Sequence, residues 1–142
     1  MAIIDNKDFY TLRGYSSLES PEISSAMEDY LEMICRLSLG GVAVRVSDLA
    51  AKLHVTPPSA SKMILRLKER GLIDFKPYGV LRLTEKGNEL GAYLLMRHDV
   101  LHSFFSRLNK NGDQLALVEK IEHFIDAQTV ENIRKLLNEH DF

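Results

Sequence analysis

Apolar residues recur at helical spacing from Ser24 onward, at Met27, Tyr30, Leu31, Ile34, Cys35 and Leu37, and the run stops at Gly40-Gly41. This spacing predicts a helix of about 14 residues, with Asp29 and Glu32 on its other side. Val44-Arg45-Val46 reads as a short extended piece, after which Ser47 is placed to cap a helix with Leu49, Ala50 and Leu53 on its apolar face. His54-Val55-Thr56-Pro57 makes a turn into a second helix that runs to Gly71, with proline tolerated in the first turn and glycine suited to the left-handed end. Two short helices joined by a tight turn form a helix-turn-helix. Leu72–Lys76 and Val80–Leu83 alternate apolar and polar residues as strands do, and Pro77-Tyr78-Gly79 between them carries hairpin turn chemistry. This hairpin is a two-stranded wing.

Beyond the wing, Thr84 caps a segment reaching Asn109 with apolar positions that include Leu90, Leu94, Leu101, Phe105 and Leu108, either one long helix or two with a bend. Asn111-Gly112-Asp113 breaks the pattern. A further helix is expected from Leu115 to Ala127, and a last one opening at Thr129, its cap, and ending near Leu137. Residues 1 to about 20 hold no sustained period and read as an arm. The fold expected is mainly α: an arm (1–23), a winged helix-turn-helix (24–90), and an all-helical module for dimerisation and sensing (91–142).

The 142 residues fit one ordinary domain or two small ones sharing a core. Apolar runs fall short of a membrane span, and the polar start lacks the order of a signal peptide, so a cytoplasmic protein is expected. Cys35 is the single cysteine, which excludes an intramolecular disulfide and a thiolate-rich zinc site. The net charge of −2 argues at first against a nucleic-acid partner, but the charge is segregated. From Arg45 to Lys86 nine basic residues stand against four acidic ones, a local +5 inside an acidic chain. Such a basic module suits phosphates, while the acidic remainder suits cations.

On the second helix of the reading unit, Ser59, Ala60 and Ser61 are small enough to enter a major groove behind Pro57, while Lys62 and Arg66 share a face. Lys76 and Arg82 on the wing are candidate phosphate or minor-groove contacts. In an isolated helix these cations would simply face water; the helix-turn-helix and wing order tips the reading to double-stranded DNA.

Asp29-x-x-Glu32, His98 and Glu119-x-x-Glu122-His123 form three clusters of potential metal ligands, each at a spacing that places its members on one helical face. Taken singly, each is an ordinary feature: acids near helix starts complement the dipole, and Glu119 with His123 forms a common exposed pair. Their coincidence is the signal. Four carboxylates carry −4, which two divalent ions would neutralise, and oxygen-rich ligation with some imidazole suits Mn²⁺ or Fe²⁺. His102, one turn beyond His98, is a candidate supporting residue, whereas His54 belongs to the turn and His140 to the tail.

These stretches resemble the diphtheria-toxin-repressor-like metalloregulators, and most closely their manganese-transport branch, over about residues 24 to 138. The resemblance is carried by Ser25-Ala26-Met27-Glu28-Asp29-Tyr30-Leu31-Glu32, Arg45-Val46-Ser47-Asp48-Leu49-Ala50, Pro57-x-Ser59-x-x-Lys62-Met63, Leu83-Thr84-x-x-Gly87, Arg97-His98 and Glu119-x-x-Glu122-His123. It implies that Asp29, Glu32, His98, Glu119, Glu122 and His123 bind a pair of Mn²⁺ ions in each subunit, with Fe²⁺, Zn²⁺ or Cd²⁺ as substitutes. It further implies a homodimer that binds a palindromic operator and represses manganese uptake genes, with no enzymatic activity, organic cofactor or membrane partner. The iron-sensing branch carries sulfur-bearing residues where Asp29 and Glu122 stand here. Departures are the longer arm and Pro58, where a small polar residue is common. The rivals are an iron-responsive regulator of the same family, a winged-helix regulator of an organic ligand and, more distantly, a four-helix di-metal enzyme, which would carry paired Glu-x-x-His motifs that this chain lacks.

Overall fold

In the computed structural model, residues 23–76, 79–110 and 112–140 are described; the arm up to residue 22 and Pro77-Tyr78 of the expected turn lie outside them. Helix α1 spans Ser25–Leu39, and Ser24 caps it by accepting the Met27 backbone N–H at 3.2 Å. It buries Met27, Tyr30, Leu31, Ile34 and Cys35, the face that the spacing predicts, but buries Glu32 as well. Strand β1 (Val44–Arg45) leads into α2 (Val46–Leu53). Ser47 therefore lies inside α2 and is not its cap. The helix starts at Val46, directly after the paired strand, and Asp48 Oδ2 accepts the Arg45 N–H at 3.0 Å.

His54 closes α2 in the left-handed region at φ 55°, and Val55 N–H returns to the Ala50 carbonyl. This reverses the chain for α3 (Pro57–Glu69), whose cap Thr56 accepts from Ser59 N–H. Ala60, Ile64 and Leu67 form the inward row of α3. Gly71, at φ +73°, ends the turn after the helix and lets Leu72 N–H reach the Leu67 carbonyl.

The wing strands are β2 (Ile73–Lys76) and β3 (Val80–Leu83), antiparallel, with Asp74 opposite Arg82. The two-stranded wing expected from sequence is here part of a three-stranded sheet ordered β1-β3-β2, because the extended piece at Val44–Arg45 pairs with β3 through Val44↔Leu81 and Arg45↔Val80. Leu31, Ile34, Leu49, Ile64, Leu67 and Leu94 meet in one apolar cluster under these elements. Each such burial contributes about 1.5–3 kcal/mol.

A single helix α4 (Glu85–Asn109), capped by Thr84 through Gly87 N–H, then runs roughly 38 Å, so the bent alternative does not occur. Its first turns press against the reading module where only glycine fits. A Cβ on Gly87 would lie 1.9 Å from the Leu72 carbonyl oxygen. Helix α4 passes unbroken through residues 90 and 91, where the sequence suggests a boundary between the two modules.

Helix α5 (Leu115–Ile121) is shorter than the pattern predicts; a 3-10 turn follows at Glu122–Phe124, and Ile125 is extended before α6 (Ala127–Glu139). Asp126, not Thr129, caps α6, accepting the Thr129 N–H at 2.7 Å. Both helices bury one valine fully, Val118 and Val130.

Candidate functional site

Where α1, α4, α5 and the 3-10 turn meet, polar groups replace the apolar contacts of the reading module. Glu122 is fully buried and Glu32 is 5% exposed. The imidazole of His98, from the middle of α4, points Nδ1 at three carboxylates: Glu122 Oε2 at 2.9 Å, Glu119 Oε1 at 3.5 Å and Glu32 Oε1 at 3.8 Å. Potential ligand atoms of Glu32, His98, Glu119 and Glu122 all lie within 4.8 Å of one another, and so do those of Asp29, Glu122 and His123. Thus all six side chains singled out from sequence come together in two groups that share Glu122.

The change from α-helix to 3-10 turn after Ile121 shapes this arrangement, since Glu119 stays on α5 while Glu122 and His123 are presented from the tighter turn. His123 donates from Nδ1 to Glu28 Oε1 at 2.9 Å and directs Nε2 to Asp29 Oδ1 at 2.9 Å. Glu28 in turn holds Arg97 through contacts of 3.4 and 3.5 Å. Neither Glu28 nor Arg97 was a candidate on sequence. The pair is 69 positions apart, beyond local periodicity, and the one hint was their adjacency to Asp29 and His98. Arg36 Nη2 donates to Glu32 Oε1 at 3.0 Å, a second cation that sequence left unassigned. His102 lies parallel to His98 with ring centroids 6.3 Å apart.

The electrostatics reflect crowding of like charge. Burial, reinforced by the charge of Glu122, raises the Glu32 carboxyl to about 7 against the opposing pull of Arg36 and His98. Burial also raises Glu119, with Glu122 adding to it. The hydrogen bond to Glu122 raises His98, while bonds to Asp29 and then Glu28 push His123 up to about 10. Glu122 Oε1 is buried and accepts no hydrogen bond. Such an acceptor is costly unless it meets a cation. A cavity of about 150 Å³, lined by Asp29, Glu32, Met33, Arg36, Leu53 and Glu119, adjoins the cluster. A divalent cation fits this donor set: carboxylate oxygens, imidazole nitrogens, no thiolate, and an unsatisfied buried oxygen.

On the reading helix α3, Pro57, Ser59, Ser61, Lys62 and Arg66 are exposed, as a DNA-facing surface requires. Ala60 is not. It is fully buried with Ile64 and Leu67, four and seven residues on, so it packs the core and cannot touch bases. Ser59 has a further task, since its N–H and hydroxyl both engage the Thr56 cap. Lys76 and Arg82 are exposed on the wing, where Arg82 forms a loose 3.4 Å pair with Asp74.

A winged helix whose first helix shares a carboxylate and imidazole cluster with a second helical module defines a DNA-binding regulator of the ligand-responsive class. Sequence comparison agrees: residues 22–81 match the iron dependent repressor N-terminal DNA binding domain, and residues 84–142 match the iron dependent repressor metal binding and dimerisation domain. The chain belongs to this iron-dependent repressor family, whose members are transcriptional regulators and not enzymes.

Among its relatives, the HTH-type transcriptional regulator MntR of Lysinibacillus sphaericus is 34% identical over 113 residues, covering 79% of this chain and 81% of the relative. The MntR of Listeria welshimeri is 37% identical over 109 residues, 76% and 77% of the two chains. The structure of the manganese regulator SloR superposes with a TM-score of 0.69 at 27% identity, over 80% of this chain and 54% of that one. ScaR with bound Zn²⁺ gives 0.68 at 23% identity, a likeness of fold alone. The chain thus spans about half the length of these two structural neighbours. Among the described residues no helix is long and apolar enough to cross a membrane.

Proposed function

We propose that this protein is a cytoplasmic, manganese-responsive repressor that binds operator DNA as a homodimer and silences manganese uptake genes when the ion is plentiful. The observation that carries this reading is the buried, unpartnered Glu122 Oε1 at the centre of six ligand-type side chains drawn from both modules. Manganese is favoured by the all-oxygen-and-nitrogen donor set and by the relatives named MntR. Asp29, Glu32, His98, Glu119, Glu122 and His123 would hold two Mn²⁺ per subunit, one in each of the groups that share Glu122, with Fe²⁺, Zn²⁺ or Cd²⁺ as substitutes and no organic cofactor. Bound divalent charge would offset the four carboxylates.

The chain's own residues supply the rest. Asp29 and Glu32 belong to the first helix of the reading module, whereas Glu119, Glu122 and His123 belong to the sensing module, so drawing them together fixes one module on the other. Leu108, Leu115, Leu117, Phe124 and Leu136 leave an exposed apolar surface on the sensing module, which a second copy would cover. Two reading helices then face half-sites about 34 Å apart, so their spacing decides affinity. Pro57, Ser59, Ser61, Lys62 and Arg66 would meet the major groove, with Lys76 and Arg82 on flanking phosphates. Reciprocity requires operator DNA to tighten metal binding by roughly 1–3 kcal/mol.

Fluorescence anisotropy of a candidate operator fragment, titrated at fixed salt with Mn²⁺, Fe²⁺ and Zn²⁺ in turn, tests the reading. Tight binding with Mn²⁺ and not with chelator is expected. A preference for Fe²⁺ would make this an iron sensor, and metal-independent binding would discard the proposal.

A further inference from the structure

We propose that Glu28, a residue outside the six candidate ligands, is the positioning residue that orients His123, presenting Nε2 to the metal site by holding the Nδ1 proton. The inference rests on the metal-site reading above and deepens it.

An imidazole can coordinate a cation through either nitrogen, and the neighbour of the other nitrogen decides which one is available. Here the two nitrogens of His123 have different surroundings. Nε2 lies 2.9 Å from Asp29 Oδ1, the residue with which His123 and Glu122 form one ligand group. Nδ1 lies 2.9 Å from Glu28 Oε1, on the opposite edge of the ring. Ionised carboxylates only accept hydrogen bonds, so without metal both nitrogens carry protons; a cation held beside Asp29 would take the place of the Nε2 proton, while Glu28 would keep the one on Nδ1.

Glu28 is itself fixed. Both of its carboxylate oxygens face the guanidinium of Arg97, at 3.4 and 3.5 Å, and the Arg97 side chain is 4% exposed. Arg97 Nε has no hydrogen-bond partner, so this buried cation is held by its terminal nitrogens at Glu28; Nη2 also lies 3.4 Å from His123 Nδ1, which is no hydrogen bond while Nδ1 gives its proton to Glu28. Glu28 thereby joins α1, α4 and the 3-10 turn. Removing its carboxylate would leave Arg97 without its anion and His123 free to turn or to exchange its proton between nitrogens.

The test uses the full chain and three readouts. Free Mn²⁺ is followed by its six-line electron paramagnetic resonance signal for the wild type, Glu28→Ala and Glu28→Gln. Glu28→Ala is expected to weaken Mn²⁺ binding about 10–100-fold. Glu28→Gln keeps an acceptor oxygen for Nδ1–H and is expected to recover most of that loss. Optical spectra of the Co²⁺-loaded proteins should show altered d–d bands for Glu28→Ala and near-native ones for Glu28→Gln, which a merely structural role would not separate. Independently of any variant, ¹H–¹⁵N correlation spectra of the Cd²⁺-loaded wild type should place the metal on His123 Nε2 and the proton on Nδ1. Metal on Nδ1, or Glu28→Ala with wild-type affinity and Co²⁺ spectrum, would overturn the assignment to Glu28 alone. A wild type that binds no Mn²⁺ would overturn the functional reading and this inference together.

Discussion

The reading module and the seam behind it are buried to a similar depth but by opposite means. Around Leu31, Ile64 and Leu67 the interior is hydrocarbon, and the charges of that half, Lys62, Arg66, Lys76 and Arg82, face outward. At the seam Glu32, Arg97, His98 and Glu122 are inside, and an acceptor oxygen goes unmet. An apolar core is self-sufficient; a carboxylate cluster is not, and its cohesion depends on what it binds. One half of the chain is built to hold its shape and the other to respond.

The largest effect should come from the centre of the seam. Glu122→Ala is expected to lower Mn²⁺ affinity by at least ~100-fold and to abolish the Mn²⁺ response of DNA binding, measured by isothermal titration and anisotropy. Leu67→Ala, in the opposite kind of interior, should cost about 2–5 kcal/mol in urea unfolding. Its folded fraction should keep wild-type Mn²⁺ affinity. Equal loss of metal affinity in both variants would erase the distinction. Between these regions, Gly87→Ala drives a methyl group into the Leu72 carbonyl and should destabilise by about 1–3 kcal/mol through a shift of α4.

Acidity should act on the seam in two opposed ways. Glu32 and His123 are raised in the folded protein, so their contribution to metal-free stability is present below the ordinary values of 4.5 and 6.5 and is lost as pH rises through about 7 and about 10. Metal binding needs the deprotonated groups, so Mn²⁺ affinity should rise over the same range. Thermal melts with chelator and with Mn²⁺ from pH 6 to 8 should therefore slope in opposite directions. The smallest effect belongs to the wing: Arg82→Ala should weaken operator binding uniformly across sequences and reduce its salt slope by about 1.

Much of the reading module was legible because its elements announce themselves locally, by proline in the first turn of a helix, Gly71 after it, and alternation in Leu72–Leu83. What escaped was decided at a distance or by one turn of geometry. Val44–Arg45 became a third strand only because β3 lies beside it. Ala60 looks like a small groove-facing residue until its row with Ile64 and Leu67 is seen to point inward. The apolar run after Leu115 does not reveal that the helix tightens at Glu122 and stops at Ile125, where Asp126 takes over as the cap. The six ligand-type residues were visible through their spacing and through resemblance, whereas Glu28 and Arg97, whose meaning lies in a contact across 69 positions, were not.

In the proposed switch a cation joins the first helix of the reading module to the sensing module. Anomalous diffraction at the manganese edge, from crystals grown with Mn²⁺, tests it directly. Peaks bounded by Asp29 and Glu32 on one side and by Glu119, Glu122 and His123 on the other are expected, with His98 between. Manganese bound elsewhere, or held by the sensing module with α1 left out of its shell, would contradict the account.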